Sequence, residues 1–345
     1  MPDADRLLDV NGLCAEIPTR RGVLTVVDGV SFRLDRGECL GIVGESGSGK
    51  SMTCRALLGL LPQPGRTVAG EVLYRGQSLL GLPERELTRL RGKEIAVIVQ
   101  DAVAALNPVW RIGTQISEAM IRHGVAANRT EARARAIALM RKVGIPAPDE
   151  RIDAFPHQFS GGMCQRVVIA TALACDPQII IADEPTTALD VTIQDQILKL
   201  LLSLQADLGL GILLVTHDMG VVAQTCDRVA VMYAAQIVET ADTGGLFRQP
   251  RHPYTAGLLS CVPRMETTDA AERLYPIPGL PPDLARLPQG CRFHPRCPLA
   301  DEGCRTGDMP LVEVAPGHHS RCRRHEELAR QPDLWATASD PMAPA

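Results

Sequence analysis

One tract constrains this chain of 345 residues more than any other: Gly44-Glu45-Ser46-Gly47-Ser48-Gly49-Lys50-Ser51. It follows a short apolar run, Leu40-Gly41-Ile42-Val43, that reads as a strand. It precedes a run from Thr53 to Leu61 that reads as a helix closed by Pro62. The pattern G-x-x-x-x-G-K-[ST] between strand and helix is a phosphate-binding loop. Its glycines let successive backbone N–H groups curl around phosphate oxygens, and the helix N-terminus adds its positive dipole end. Lys50 is expected to bridge the β- and γ-phosphates, and the Ser51 hydroxyl to ligate magnesium.

The rest of the chain supplies an α/β setting for that loop. Val30-Ser31-Phe32-Arg33-Leu34 alternates apolar and polar residues as a half-buried strand does, and Ile179 to Ala182 reads as a buried strand. Ile197, Leu201, Leu204 and Leu208 mark a helix with Gly209 as its stop, and Ile212 to Val215 is a further strand ending at Thr216-His217-Asp218. Strands alternating with helices imply a mostly parallel sheet with its chemistry at the carboxyl ends of the strands. Between Leu106 and Gln165 the pattern turns helical. Ala132, Ala136, Leu139, Met140 and Val143 fall on one face, with Asn128 or Thr130 as the cap. Beyond about Leu246 prolines become frequent and periodicity fades, which predicts a loop-rich appendage. The expected division is a core over 1–105 and 166–245, a helical insertion over 106–165, an extension over 246–330 and a disordered tail over 331–345.

Bulk properties narrow the partners. Apolar residues at 45% and charged residues at 22% describe a globular chain. A formal net charge of -4 gives no electrostatic case for nucleic acid, and 3% aromatic residues give no base-stacking platform. The first residues, Met1-Pro2-Asp3-Ala4-Asp5-Arg6, show no basic region followed by an apolar stretch, and runs such as Leu210 to Val215 and Val229 to Val238 are too short to span a bilayer. The expectation is a cytosolic protein whose contact with a membrane comes through a partner.

Residues beyond the loop separate the classes of nucleotide machine. Asp183 closes an apolar strand and can hold magnesium or its water. Glu184 beside it can orient or deprotonate the water that attacks a γ-phosphate. Gln100 follows Ala96-Val97-Ile98-Val99, and Phe159-Ser160-Gly161-Gly162-Met163 lies between the loop and the acids; Ala188-Leu189-Asp190 and His217 come after them. This order of motifs resembles the ATP-binding subunits of ATP-binding cassette (ABC) transporters from the N-terminus to about Ile237. The resemblance implies a RecA-like P-loop ATPase core with a helical insertion and an ATP site closed by two subunits. Lys50, Gln100, Asp183, Glu184 and His217 of one chain would meet Ser160, Gly161 and Gly162 of another. In that scheme Gln100 senses magnesium and water, the Asp190 tract contacts the opposite subunit, and His217 grips the γ-phosphate. Two positions depart from the family: Ile17 stands where an aromatic usually stacks on adenine, and Met163 where the signature usually carries glutamine.

Further tracts resemble the dipeptide and oligopeptide importer branch: Gln100-Asp101 through Ala105-Leu106-Asn107-Pro108, His252-Pro253-Tyr254-Thr255, Leu258-Leu259-Ser260, and Cys291-Arg292-Phe293-His294-Pro295-Arg296-Cys297-Pro298. That branch implies a peripheral ATPase on the cytoplasmic face of the cell membrane. Its partners would be a second, different ATPase chain, two permeases and a separate solute-binding protein. Cargo would be di- or oligopeptides, with nickel, glutathione or another small solute as the alternative. An ABC ATPase acting on nucleic acid is the remote rival, since tandem cassettes, coiled-coil insertions and basic linkers are missing from the sequence.

The chain has 11 cysteines. Cys14, Cys39, Cys54, Cys164, Cys175, Cys226 and Cys261 are scattered and read mostly as small buried hydrophobes. Cys291, Cys297, Cys304 and Cys322 are clustered at C-x5-C-x6-C-x17-C. Structural zinc sites use tighter pairs, about two to four residues apart. Wider spacing on proline-rich loops suits a larger body such as a [4Fe-4S] cluster, and the resemblance to peptide-importer subunits that carry one points the same way. Zinc, and reduced structural thiols, remain the alternatives.

Overall fold

The computed structural model describes residues 5–20, 22–187, 189–261, 276–331 and 334–335. The chain divides into two compact units, one of Met1–Asp9, Arg33–Cys39 and Val72–Val215, the other of Val10–Phe32, Leu40–Glu71 and Thr216–Ala345.

In the first unit the strands Ile95–Ile98, Ile179–Asp183 and Gly211–Thr216 lie parallel and in that order. Their residues are almost all buried, as expected for parallel strands covered on both faces. The pairing of Asp183 with Val215 brings the acidic end of one strand level with the end of its neighbour. The helices Ile112–Arg122, Arg129–Lys142 and Gly161–Ala172 pack on one another through Ile116, Met120, Ala132, Ala136, Met140 and Val167, all fully buried. Asn128 caps the second of them, its side chain accepting from the Glu131 N–H at 2.9 Å, as the sequence predicts. The helix Val191–Leu208 stops at Gly209, whose φ of 64° only glycine adopts at low cost.

In the second unit the strand Cys39–Val43 pairs in parallel with Arg228–Tyr233, which pairs antiparallel with Gln236–Asp242. The sequence reading expects a loop-rich appendage beyond Leu246, and within it two strands join this sheet. His318–Ser320 pairs with Gln236–Asp242, and Val312–Ala315 pairs with His318–Ser320. Segments of three and four residues are too short to show a period of two. The strands Gly22–Asp35, Arg6–Thr19 and Arg66–Tyr74 also lie side by side here.

The helix after the phosphate loop spans Lys50–Leu57, not Thr53 to Leu61. It ends in a Schellman motif. Gly59 takes φ 64°, its N–H donates to the Ala56 carbonyl at 3.2 Å, and Leu60 N–H donates to the Arg55 carbonyl at 2.8 Å. Gly59, rather than Pro62, is the stop. The tail also differs from expectation where it is described: Leu334 and Trp335 are buried, and the Trp335 indole N–H donates to the Pro253 carbonyl at 3.0 Å. The expected disorder of the other tail residues falls, except for Gln331, outside the described residues. No helix among the described residues is long and apolar enough to cross a membrane.

Candidate nucleotide site

The second unit holds the phosphate loop. Leaving the strand Cys39–Val43, the chain turns at Gly44, where a Cβ would lie 2.1 Å from the Met232 carbonyl oxygen; only glycine fits. Lys50 is 5% exposed, and its Nζ donates to the carbonyls of Gly44 at 2.8 Å and Glu45 at 3.0 Å. The loop is pinned from behind by Ala235 N–H, which donates to the Ser48 carbonyl at 2.8 Å. The Ser48 hydroxyl is buried and has no hydrogen-bond partner in the protein. A buried orphan hydroxyl costs free energy unless a ligand satisfies it. Beside a buried ammonium at a helix N-terminus, the group that fits is a phosphate. His217, in the same unit, is exposed and follows the strand Gly211–Thr216. Asp218 next to it caps the following helix, accepting from Gly220 N–H at 2.7 Å.

The first unit holds the acids. Glu184 has a backbone φ of 48°, unusual for a residue with a side chain and costing on the order of 1 kcal/mol. Its carboxylate Oε2 accepts from Gln100 Nε2 at 2.8 Å and from the Thr187 hydroxyl at 2.9 Å. Gln100 and Glu184, 84 positions apart, are therefore joined directly. Thr187 is a member of this group that the sequence reading missed, although its place three residues after Glu184 in a tight turn is a local signal. Ser160 caps the helix Gly161–Ala172, its hydroxyl accepting from Met163 N–H at 3.3 Å. Gly161 is exposed at the helix start, while a Cβ on Gly162 would lie 2.6 Å from Ile193 Cγ2. Asp190, expected at a subunit contact, caps the helix Val191–Leu208 by accepting from Ile193 N–H at 3.0 Å. Ala188 of that tract lies outside the described residues.

Residues 27–187 match the ABC transporter family, and residues 238–304 match the C-terminal region of oligopeptide/dipeptide transporters. The chain is 49% identical to the oligopeptide transport ATP-binding protein OppD of Bacillus subtilis, over 91% of this chain and 87% of that protein. It is 45% identical to the dipeptide transport ATP-binding protein DppD of Escherichia coli, over 95% of this chain and 99% of that protein. The chain belongs to the ABC transporter ATP-binding proteins. Its fold agrees: the dimeric post-hydrolysis structure of the ATP-binding cassette MJ0796 with ADP and phosphate superposes with a TM-score of 0.62 at 27% identity, covering 69% of this chain and 99% of that one. As a member of that family it is an ATPase, for which ATP with magnesium is the expected ligand.

In this ABC ATPase the four clustered cysteines line one pocket in the extension, together with His252, Phe293 and Arg321. Burial pushes the Cys297 and Cys322 thiols up to about 12, and raises Cys291 and Cys304 as well. Against that, the Arg324 N–H donates to Cys322 Sγ at 3.4 Å and favours its thiolate. Among the described residues no three Cys, His, Asp or Glu side chains form a group that could hold a single metal ion. Neither the expected [4Fe-4S] cluster nor the zinc alternative therefore finds a ready ligand group among the described residues. Of the scattered cysteines, Cys39, Cys54, Cys164, Cys175 and Cys226 are buried as expected, whereas Cys261 is exposed.

The extension also reaches the phosphate loop, a contact that no motif or spacing in the sequence foretells. Arg296 makes a two-pronged ion pair with the Glu45 carboxylate, at 2.7 and 2.9 Å. The Tyr254 hydroxyl accepts from Glu45 N–H at 2.8 Å.

Proposed function

We propose that this ATPase powers uptake of di- or oligopeptides across the cytoplasmic membrane. It would work at the cytoplasmic face with two permease subunits and a second, different ATPase chain, on peptide delivered by a solute-binding protein. The observation that carries the reading is the oligopeptide/dipeptide transporter region at 238–304, joined to an ABC ATPase cassette in the same chain. The residue roles follow from chemistry. Lys50 and the loop amides bind the β- and γ-phosphates, Ser51 and Asp183 hold magnesium with Gln100 beside it, and Glu184 takes the proton of the attacking water. His217 contacts the γ-phosphate, and the Ser160-Gly161-Gly162 helix start, carried on the helical segment 106–165, caps ATP bound by the partner. Substituting Glu184→Gln in the assembled complex should leave ATP binding intact while hydrolysis and uptake of labelled peptide into vesicles fall at least about a hundredfold. Undiminished turnover would remove Glu184 from the role, and ATP-driven uptake of another solute in place of peptide would overturn the cargo.

We further propose that Cys291, Cys297, Cys304 and Cys322 bind a [4Fe-4S] cluster that staples the extension. What supports this is one pocket lined by four thiols, with the Arg324 N–H donating to Cys322 Sγ at 3.4 Å. When bound, the cluster would supply four metal–thiolate bonds across a proline-rich segment. Anaerobic purification should return about four irons and matching sulfide per chain; stoichiometric zinc would refute the assignment.

A further inference from the structure

We infer that Arg296 and Tyr254 of the C-terminal extension are positioning residues for the phosphate-binding loop: through Glu45 they hold the backbone that carries Lys50. Glu45 is the second residue of the loop, and its polar groups are engaged on both sides. Its carboxylate takes both prongs of Arg296, and its N–H donates to Tyr254. On the loop side, its carbonyl accepts from Lys50 Nζ at 3.0 Å and from Ser48 N–H at 3.2 Å. Rotation of the Glu45 peptide would break contacts on both sides at once.

Both clamping groups are themselves fixed. Arg296 is 7% exposed. Its Nε donates to the Pro278 carbonyl at 2.9 Å, and its guanidinium lies 5.8 Å from the Tyr233 ring centroid and 5.9 Å from that of Phe293. Tyr254 is fully buried, 4.6 Å from Tyr233 between ring centroids. A forked guanidinium fixes a carboxylate in direction as well as position, which an ammonium does not. Arg296 also neutralises a carboxylate standing in the loop that receives a polyanion, where an unpaired negative charge would oppose ATP. Arg292 offers a contrast. It also ties the extension to the cassette, but its hydrogen bonds go to Asp28 and the Ala234 carbonyl.

The test uses the assembled transporter with MgATP as the probe, measuring ATP affinity, KM for ATP, kcat and thermal midpoint. The inference rests on the loop's reading as the ATP site, so Lys50→Ala serves as the check on that reading: retained binding in that variant would defeat the reading itself. Arg296→Met is expected to raise KM and Kd for ATP about tenfold, with kcat within about twofold of the parent. Arg296→Lys should recover part of the loss by restoring charge without the fork. Adding Glu45→Gln to Arg296→Met should recover part by removing the unpaired carboxylate. Tyr254→Phe should raise KM by a smaller factor with no change of charge. If Arg296→Met does not fold, Arg296→Lys and Tyr254→Phe carry the test. Parental KM in the variants that fold would overturn the inference. So would an equal rise in KM from Asp28→Asn, because the effect would then be docking of the extension alone.

Discussion

At the scale of single residues the chemistry is assembled from small, strained or orphaned groups. Glu184 is held in a left-handed backbone conformation and its carboxylate is aimed by Gln100 and Thr187. A general base must be oriented before its basicity matters. Thr187→Val keeps the shape of the side chain and deletes the hydroxyl donor. It should therefore lower kcat about three- to tenfold while leaving the KM for ATP unchanged, as steady-state hydrolysis by the complex would measure. Unaltered kcat would mean that Gln100 alone suffices. Gly44, Lys50 and Ser51 were legible at this scale because a phosphate loop is specified by consecutive residues. Thr187 carried a weaker signal of the same local kind.

At the scale of elements, caps connect sequence to site. Ser160 and Asn128 both accept a hydrogen bond from the N–H three residues on, one at the start of Gly161–Ala172 and the other at the start of Arg129–Lys142. Replacing either with alanine should cost about 1 kcal/mol of stability, readable by thermal or urea unfolding. The two should then part company: Ser160→Ala should also lose ATP turnover, whereas Asn128→Ala should retain it. Equal activity in both would reduce Ser160 to a cap. The positions of most strands and helices were legible from hydrophobic period and stop signals. Misplacement came where a stop was ranked wrongly, as with Gly59 ahead of Pro62, or where a strand was too short to show a period, as with His318–Ser320.

At the scale of the whole molecule the extension is bound to the rest of the second unit by pairing and by an aromatic core, not merely appended. Trp335 is 4% exposed, its ring 6.4 Å from Phe293 between centroids. Its neighbour Leu334 joins Leu299 and Leu328 in a small buried cluster. Trp335→Ala removes a large buried side chain and a hydrogen bond. It should destabilise the extension by about 3 kcal/mol, seen as faster proteolysis beyond Leu246 and a lower thermal midpoint. The sequence by itself determined the class of machine and carried the loop and the acids proposed to bind and act on ATP, because each is encoded in a short stretch whose backbone geometry is local. Only the tertiary structure decided that Arg296 meets Glu45, 251 positions away. Contacts of that range are fixed by how strands pair and aromatic side chains pack. No spacing along the chain encodes them.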